Sequence, residues 1–65
     1  MTEHEAINIA LKWRPKHKLD TIRELDKYFV VCLVPEDFKG GKYIGGAVRV
    51  DKKTGECRLY NPMLE

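Results

Sequence analysis

The spacing of hydrophobic residues changes along the chain, and the first spacing predicts a helix. Near the N-terminus, apolar residues recur three and four apart, as on one side of an amphipathic helix. These positions are Ala6, Ile7, Ile9, Ala10, Leu11 and Trp13. Thr2 and Glu5 have the spacing of a capping box, and Pro15 opposes continuation of the helix. The sequence therefore predicts a helix over residues 3–13, with Trp13 as an anchor in the core.

The clearest strand signal is an almost continuous run of β-branched and aromatic residues, 28–34. Such a run is typical of a strand in mid-sheet, and Pro35 ends it. The preceding residues 19–27 allow two interpretations, because every third residue from 19 to 25 is apolar and would also suit a short helix. We favour a strand at 21–25 that turns at Asp26-Lys27, since antiparallel strands pair through short turns.

Two further strands are predicted, at residues 43–50 and 57–60. The paired glycines 45–46 inside the first indicate a bulge or a close approach of the helix to the sheet. Between the two strands, Asp51 can nucleate a turn, and Gly55 can adopt the left-handed conformation that closes it. The C-terminal part of the chain is therefore predicted to be a hairpin.

Together these elements predict an α+β fold, in which one N-terminal helix packs on a three- to four-stranded antiparallel meander. A chain of 65 residues forms one domain, 1–65, and 43% hydrophobic with 34% charged residues is the balance of a folded protein. No apolar run approaches the roughly 20 residues that cross a bilayer, so we expect no membrane partner. The polar N-terminus and the small number of cysteines favour the cytoplasm and reduced thiols.

The residue types that bind metals or perform catalysis are not spaced as a site. His4, His17, Cys32 and Cys57 form no close pairs, which a structural zinc site requires. We expect Cys32 in the core, where a cysteine behaves as a small hydrophobic residue. The chain contains no serine, which excludes serine hydrolase chemistry. We therefore expect no enzymatic activity, no metal and no cofactor.

Three tyrosines suggest a binding surface for another protein. Tyr28, Tyr43 and Tyr60 all fall in predicted strands. Tyrosines on a sheet face that a single helix leaves open would make good anchors in an interface.

A basic run over residues 12–18 suggests nucleic acid as a second kind of partner. Residues 15–18 of this run are predicted to form the connector after the helix. The cations of the run are Lys12, Arg14, Lys16 and Lys18. Cations interleaved with aromatic rings can bind a single nucleic-acid strand by charge and stacking. We favour the alternative that Trp13 is in the core and the cations form a solvated rim, because the net charge of +2 is low for a nucleic-acid-binding domain.

The last third of the chain resembles the hairpin of known small domains. Val50-Asp51-Lys52-Lys53-Thr54-Gly55-Glu56, with Gly45 five residues before Val50, is similar to the hairpin of the bacterial YrhB-like toxin-immunity proteins. PepSY domains, which regulate peptidases, carry a similar hairpin after a helix and strands. PepSY domains are usually outside the cytoplasm, which favours the YrhB-like group. Neither family supplies catalytic residues, and both resemblances imply a module that recognises another protein.

We therefore expect a small, non-enzymatic, cytoplasmic protein-interaction module, such as an immunity-type inhibitor or a small chaperone. One alternative is a weak nucleic-acid-binding domain that uses the basic run. Another is a homodimer that pairs exposed edge strands and has no activity of its own.

Overall fold

The computed structural model describes residues 1–41 and 46–60. Its elements are α1 (Glu3–Trp13), β1 (His17–Glu24), β2 (Tyr28–Pro35), β3 (Ala47–Asp51) and β4 (Cys57–Leu59). The strands form one antiparallel sheet in the order β1-β2-β3-β4. Helix α1 lies on one face of this sheet and contacts all four strands. The predicted α+β fold is confirmed.

Helix α1 has the bounds that its end signals predicted. The Thr2 hydroxyl accepts a hydrogen bond from the Glu5 backbone N–H at 3.2 Å, and the Glu5 carboxylate accepts one from the Thr2 backbone N–H at 3.2 Å. This reciprocal capping box satisfies two backbone donors that would otherwise lack partners at the start of the helix. At the other end, the Arg14 N–H donates to the Ala10 carbonyl at 2.9 Å, and Pro15 follows.

The core forms where two alanines of α1 meet the centre of the sheet. Ala6 and Ala10 have no exposed surface. Because neither side chain extends beyond Cβ, the helix can lie close to the strands. The buried sheet residues of this cluster are Phe29, Val31, Leu33, Val48 and Val50. Its margin is completed by the partly buried Ile9, Leu11, Ile22 and Cys57.

Strand β1 confirms the strand interpretation of residues 19–27 but begins earlier than predicted. It starts at His17, inside the predicted connector, because Lys16 has a positive φ of 64° and reverses the chain. The β1–β2 turn lies at Asp26-Lys27 as predicted, with a hydrogen bond of 2.9 Å from the Leu25 N–H to the Tyr28 carbonyl.

Strand β3 is described from Ala47 to Asp51, and the predicted start at residue 43 lies outside the described residues. Gly46 is buried and its carbonyl accepts a hydrogen bond from the Leu33 N–H at 2.9 Å. This hydrogen bond links Gly46 to β2, and Gly45, the other glycine of the predicted bulge or close approach, lies outside the described residues. Strand β4 ends one residue before the prediction, although the Tyr60 N–H still donates to the Ala47 carbonyl at 3.0 Å.

The β3–β4 turn has the predicted chemistry. The Asp51 carboxylate accepts hydrogen bonds from the backbone N–H groups of Lys53 and Thr54 at 2.8 and 3.0 Å. Gly55 has a φ of 74°, and its N–H donates to the Asp51 carbonyl at 2.9 Å. The two hydrogen bonds to the carboxylate, that from Thr54 first, lower the pKa of Asp51 because they stabilise its charged form.

Two residues predicted for the core lie elsewhere. Trp13 is 43% exposed, because α1 approaches the sheet through Ala6 and Ala10 and ends at Trp13, where the chain leaves towards β1. Cys32 is only half-buried. The alternation of side chains along β2 directs Val31 and Leu33 to α1, and Cys32 therefore faces the opposite side of the sheet.

The close contact between α1 and the sheet predicts that a larger side chain at Ala10 destabilises the protein. We expect Ala10→Leu to lower the free energy of unfolding by about 1–3 kcal/mol, because the added atoms have no space beneath the helix. Asn8→Leu introduces the same side chain at an exposed helix position and should change stability by about 0.5 kcal/mol or less. Urea unfolding followed by circular dichroism measures both. Equal effects of the two substitutions would contradict the close contact.

The hydrogen bonds to the Asp51 carboxylate predict how the stability of the protein depends on pH. The pKa of Asp51 is lower in the folded than in the unfolded chain, so its contribution to stability is complete above the unfolded value, about 3.9, and is lost as the pH falls through the folded value. Asp51→Asn keeps a hydrogen-bond acceptor but removes the titration. Its stability should therefore fall less than that of the wild type between about pH 5 and pH 2. Asp37→Asn, at an exposed position outside this turn, is the control and should retain the wild-type slope.

Candidate functional site

Two of the three predicted tyrosines meet on the sheet face opposite α1. Tyr28 begins β2 and Tyr60 follows β4, and both are half-buried. Their ring centroids are 6.4 Å apart, with the ring planes inclined by 49°. Tyr43 lies outside the described residues. The structure thus brings together the first and last tyrosines, which are 32 positions apart in the sequence.

Arg49 lies beside Tyr28, although it was not among the residues predicted for this surface. Its guanidinium carbon Cζ lies 4.4 Å from the centroid of the Tyr28 ring, a cation–π contact. Arg49 lies between Val48 and Val50 on β3, and both valines face the core, so strand alternation places the arginine on the tyrosine side. That alternation is visible in the sequence and could have identified Arg49. We call the sheet surface that carries Tyr28, Arg49 and Tyr60 the tyrosine face.

A shallow charged depression adjoins Arg49. It is lined by Arg49, Asp51, Glu56 and Arg58. The Arg58 Nε donates to a Glu56 carboxylate oxygen at 3.0 Å, while the Asp51 carboxylate is hydrogen-bonded within the turn. Its polar groups are arranged around an open surface, which can bind the polar parts of another macromolecule.

The apolar part of the tyrosine face lies along β2. Val30 and Val34 alternate with the core residues and are nevertheless buried. Val30 is flanked across the strands by Arg23 on β1 and Arg49 on β3. Long arginine side chains can cover apolar neighbours with their methylene groups while the charged ends stay in water. The face therefore presents polar groups above a buried apolar row.

The cysteines and histidines lie apart from one another. Cys57 packs against the core on the α1 side, and burial raises the pKa of its thiol, which favours the protonated form. Cys32 is on the opposite face, so the two thiols cannot form a disulfide within this fold. His4 is exposed on α1, and the Nδ1 atom of His17 lies 2.9 Å from the Pro15 carbonyl oxygen. Residues 1–41 and 46–60 contain no group of three or more histidine, cysteine, aspartate or glutamate side chains placed to hold a metal ion.

The basic run is divided between the two faces of the sheet. Lys12 and Trp13 lie in the last turn of α1, and Arg14 caps that helix. Lys18 pairs with Val34 in the β1–β2 ladder, and its Nζ atom donates to the Phe38 carbonyl at 3.3 Å. Proximity in the sequence therefore does not produce one continuous basic surface.

The two edges of the sheet differ in length. Strand β4 has three residues, whereas β1 has eight. The β1–β2 register shifts between Leu19 and Thr21, so Asp20 forms a bulge in the longer edge. Charged side chains and a bulge both oppose pairing of an edge with another chain.

Comparisons with known proteins return nothing similar: no protein-family model matches the chain, and neither does any curated protein or solved structure. The geometry of the described residues is therefore the basis for the functional proposals. Within these residues, no helix is long and apolar enough to cross a membrane.

Proposed function

We propose that this chain is a non-enzymatic protein-interaction module whose tyrosine face contacts the partner. The observation that carries the proposal is the cluster of Tyr28, Arg49 and Tyr60 on the face opposite α1. Tyrosine and arginine are enriched among the residues that dominate the energy of protein interfaces. Their mutual contacts restrict the side chains before binding, which reduces the entropy lost when a partner docks.

The size and chemistry of the domain support a surface-binding role. A 65-residue chain with one helix on one sheet has little material with which to enclose a substrate, so a partner would bind outside. The hairpin at residues 50–56 resembles that of YrhB-like immunity proteins, which supports an immunity-type inhibitor or small chaperone. Two thiols on opposite faces suit a reducing compartment, and we propose the cytoplasm.

Nucleic-acid binding by the basic run is a second candidate, and the exposure of Trp13 favours it. Trp13 is 43% exposed and adjoins Lys12 and Arg14 in the sequence. An exposed indole ring can stack on an unpaired base, and the neighbouring cations can contact phosphates. This function would be recognised by an affinity that falls steeply as the salt concentration rises.

Self-association through β1 is the third candidate. The bulge at Asp20 and the charged residues of β1 act against it. Light scattering after size-exclusion chromatography would support a homodimer only if the measured mass corresponds to two chains.

Substitutions on the tyrosine face test the main proposal. A partner is captured from cell lysate with the tagged chain and purified, and its Kd is then measured for each variant. We expect Tyr28→Ala and Tyr60→Ala each to weaken binding by about fivefold or more, since truncated anchor residues cost about 1 kcal/mol or more. Tyr28→Phe keeps the ring and should retain most of the affinity.

The control removes three cations of the basic run in one variant, Lys12→Gln, Arg14→Gln and Lys16→Gln, and keeps Lys18, which lies on the tyrosine face. It should bind the partner within about twofold of the wild type, because rim charges contribute little to affinity. Circular dichroism establishes that each variant is folded. Loss of binding in this control, with both tyrosine variants unaffected, would indicate that the basic run and not the tyrosine face contacts the partner.

A further inference from the structure

Three arginines lie in one row across the tyrosine face. The strand register pairs Arg23 with Val30, Val30 with Arg49, and Arg49 with Arg58. The row therefore crosses all four strands and spans about 14 Å at the usual spacing of strands. Each arginine is adjacent in sequence to a residue of the core or its margin, so all three side chains leave the sheet on the side away from α1.

This face concentrates positive charge. Apart from the bulged Asp20, its charged strand residues are Lys18, Arg23, Arg49, Arg58 and Asp51. Apart from Asp20, the described strand residues of this face thus comprise four cations and one carboxylate, and Glu56 next to β4 adds a second carboxylate, whereas the whole chain has 12 basic and 10 acidic residues. Arg49 and Arg58 are directly opposite each other, and like charges in such pairs destabilise a sheet.

Among the described residues, the carboxylates of Glu56 and Asp51 lie next to the row. Glu56 contacts Arg58 at 3.0 Å, but the two side chains are 58% and 71% exposed, and such exposed pairs contribute little to stability. A carboxylate from a partner could take the place of Glu56. The Asp51 carboxylate is hydrogen-bonded to two backbone N–H groups of its turn.

We infer that the tyrosine face binds an acidic segment of a partner protein, with the arginine row receiving its carboxylates. This inference rests on the proposed function and specifies the chemistry of the partner. Guanidinium groups bind carboxylates through paired, charge-assisted hydrogen bonds. Because the row crosses the strands, the acidic segment would lie across the sheet and not along its edge.

The same geometry disfavours a nucleic acid on this face. Arg49 lies over the ring of Tyr28, so that side of the ring is occupied and cannot stack on a base. Asp51 and Glu56 border the row and would repel a chain that carries a phosphate at every nucleotide. An acidic polypeptide can instead place its carboxylates at selected positions and present neutral groups elsewhere.

Two defined polymers test the inference on the 65-residue chain. Fluorescence anisotropy measures the binding of labelled poly-L-glutamate and, separately, of labelled oligothymidylate. The double variant Arg23→Gln with Arg58→Gln removes both ends of the row. Its matched control, Lys27→Gln with Lys53→Gln, removes the same charge from exposed turn positions. We expect the arginine variant to bind poly-L-glutamate about tenfold more weakly and the lysine variant to bind within about twofold of the wild type.

Unfolding in urea separates loss of binding from loss of structure. At low salt, Arg58→Gln alone should leave the urea midpoint unchanged or raise it, because it removes the repulsion with Arg49. Arg23→Gln, at an exposed position, is the second single variant and should weaken the binding of poly-L-glutamate without lowering the midpoint. Equal loss of affinity in the arginine and lysine double variants would overturn the inference, as would tighter binding of oligothymidylate that depends on the row.

The captured partner distinguishes failure of this inference from failure of the proposed function. If Tyr60→Ala weakens the binding of that partner but the double arginine variant does not, the interaction module stands and its acidic specificity is wrong. If neither variant weakens binding, both are wrong. Weakened binding by both variants is the expected result.

Discussion

The close contact of Ala6 and Ala10 with the centre of the sheet is the constraint on which the rest of the structure depends. Alanine side chains let an 11-residue helix approach near enough to contact all four strands. The chain thereby obtains one compact core from a small number of apolar residues, as a short domain requires. It has no second described helix for the other side of the sheet, so the fold makes that side a polar surface.

The alternation of side chains along the strands decides which residues lie on the face covered by α1 and which lie on the tyrosine face. On β3, Val48 and Val50 enter the core, and Arg49 between them must emerge on the tyrosine face. A slip of one residue in the pairing would exchange these roles, burying the charge and exposing the valines. The turn from Asp51 to Gly55 fixes the register of β3 and β4. The candidate binding surface therefore depends on a turn at its margin.

Features controlled by neighbouring residues could be predicted from the sequence. The Thr2 and Glu5 capping box fixed the start of α1, and Asp51 with Gly55 fixed the last turn. Features that depend on how elements face one another could not. The apolar run of β2 lacks alternation, so nothing in it distinguished the side of Val31 from that of Cys32. The end of the helix at Trp13 was predicted correctly, but the sequence did not show that the side of Ala6 and Ala10 would pack on the sheet and leave Trp13 exposed. The arginine row exists only once the register of four strands is known.

The bulge at Asp20 changes the shape of the edge strand β1 without changing the faces on which its other side chains lie. Leu19 and Thr21 already occupy consecutive places in the pairing with β2, so deleting Asp20 would leave a regular strand with its other side chains on their present faces. The shortened protein would keep the same surface but acquire a straighter edge, and edges of that kind promote growth of sheets between molecules. Asp20 would then raise the concentration that the protein reaches in solution before it aggregates. The solubility limit of the deletion variant would measure that contribution.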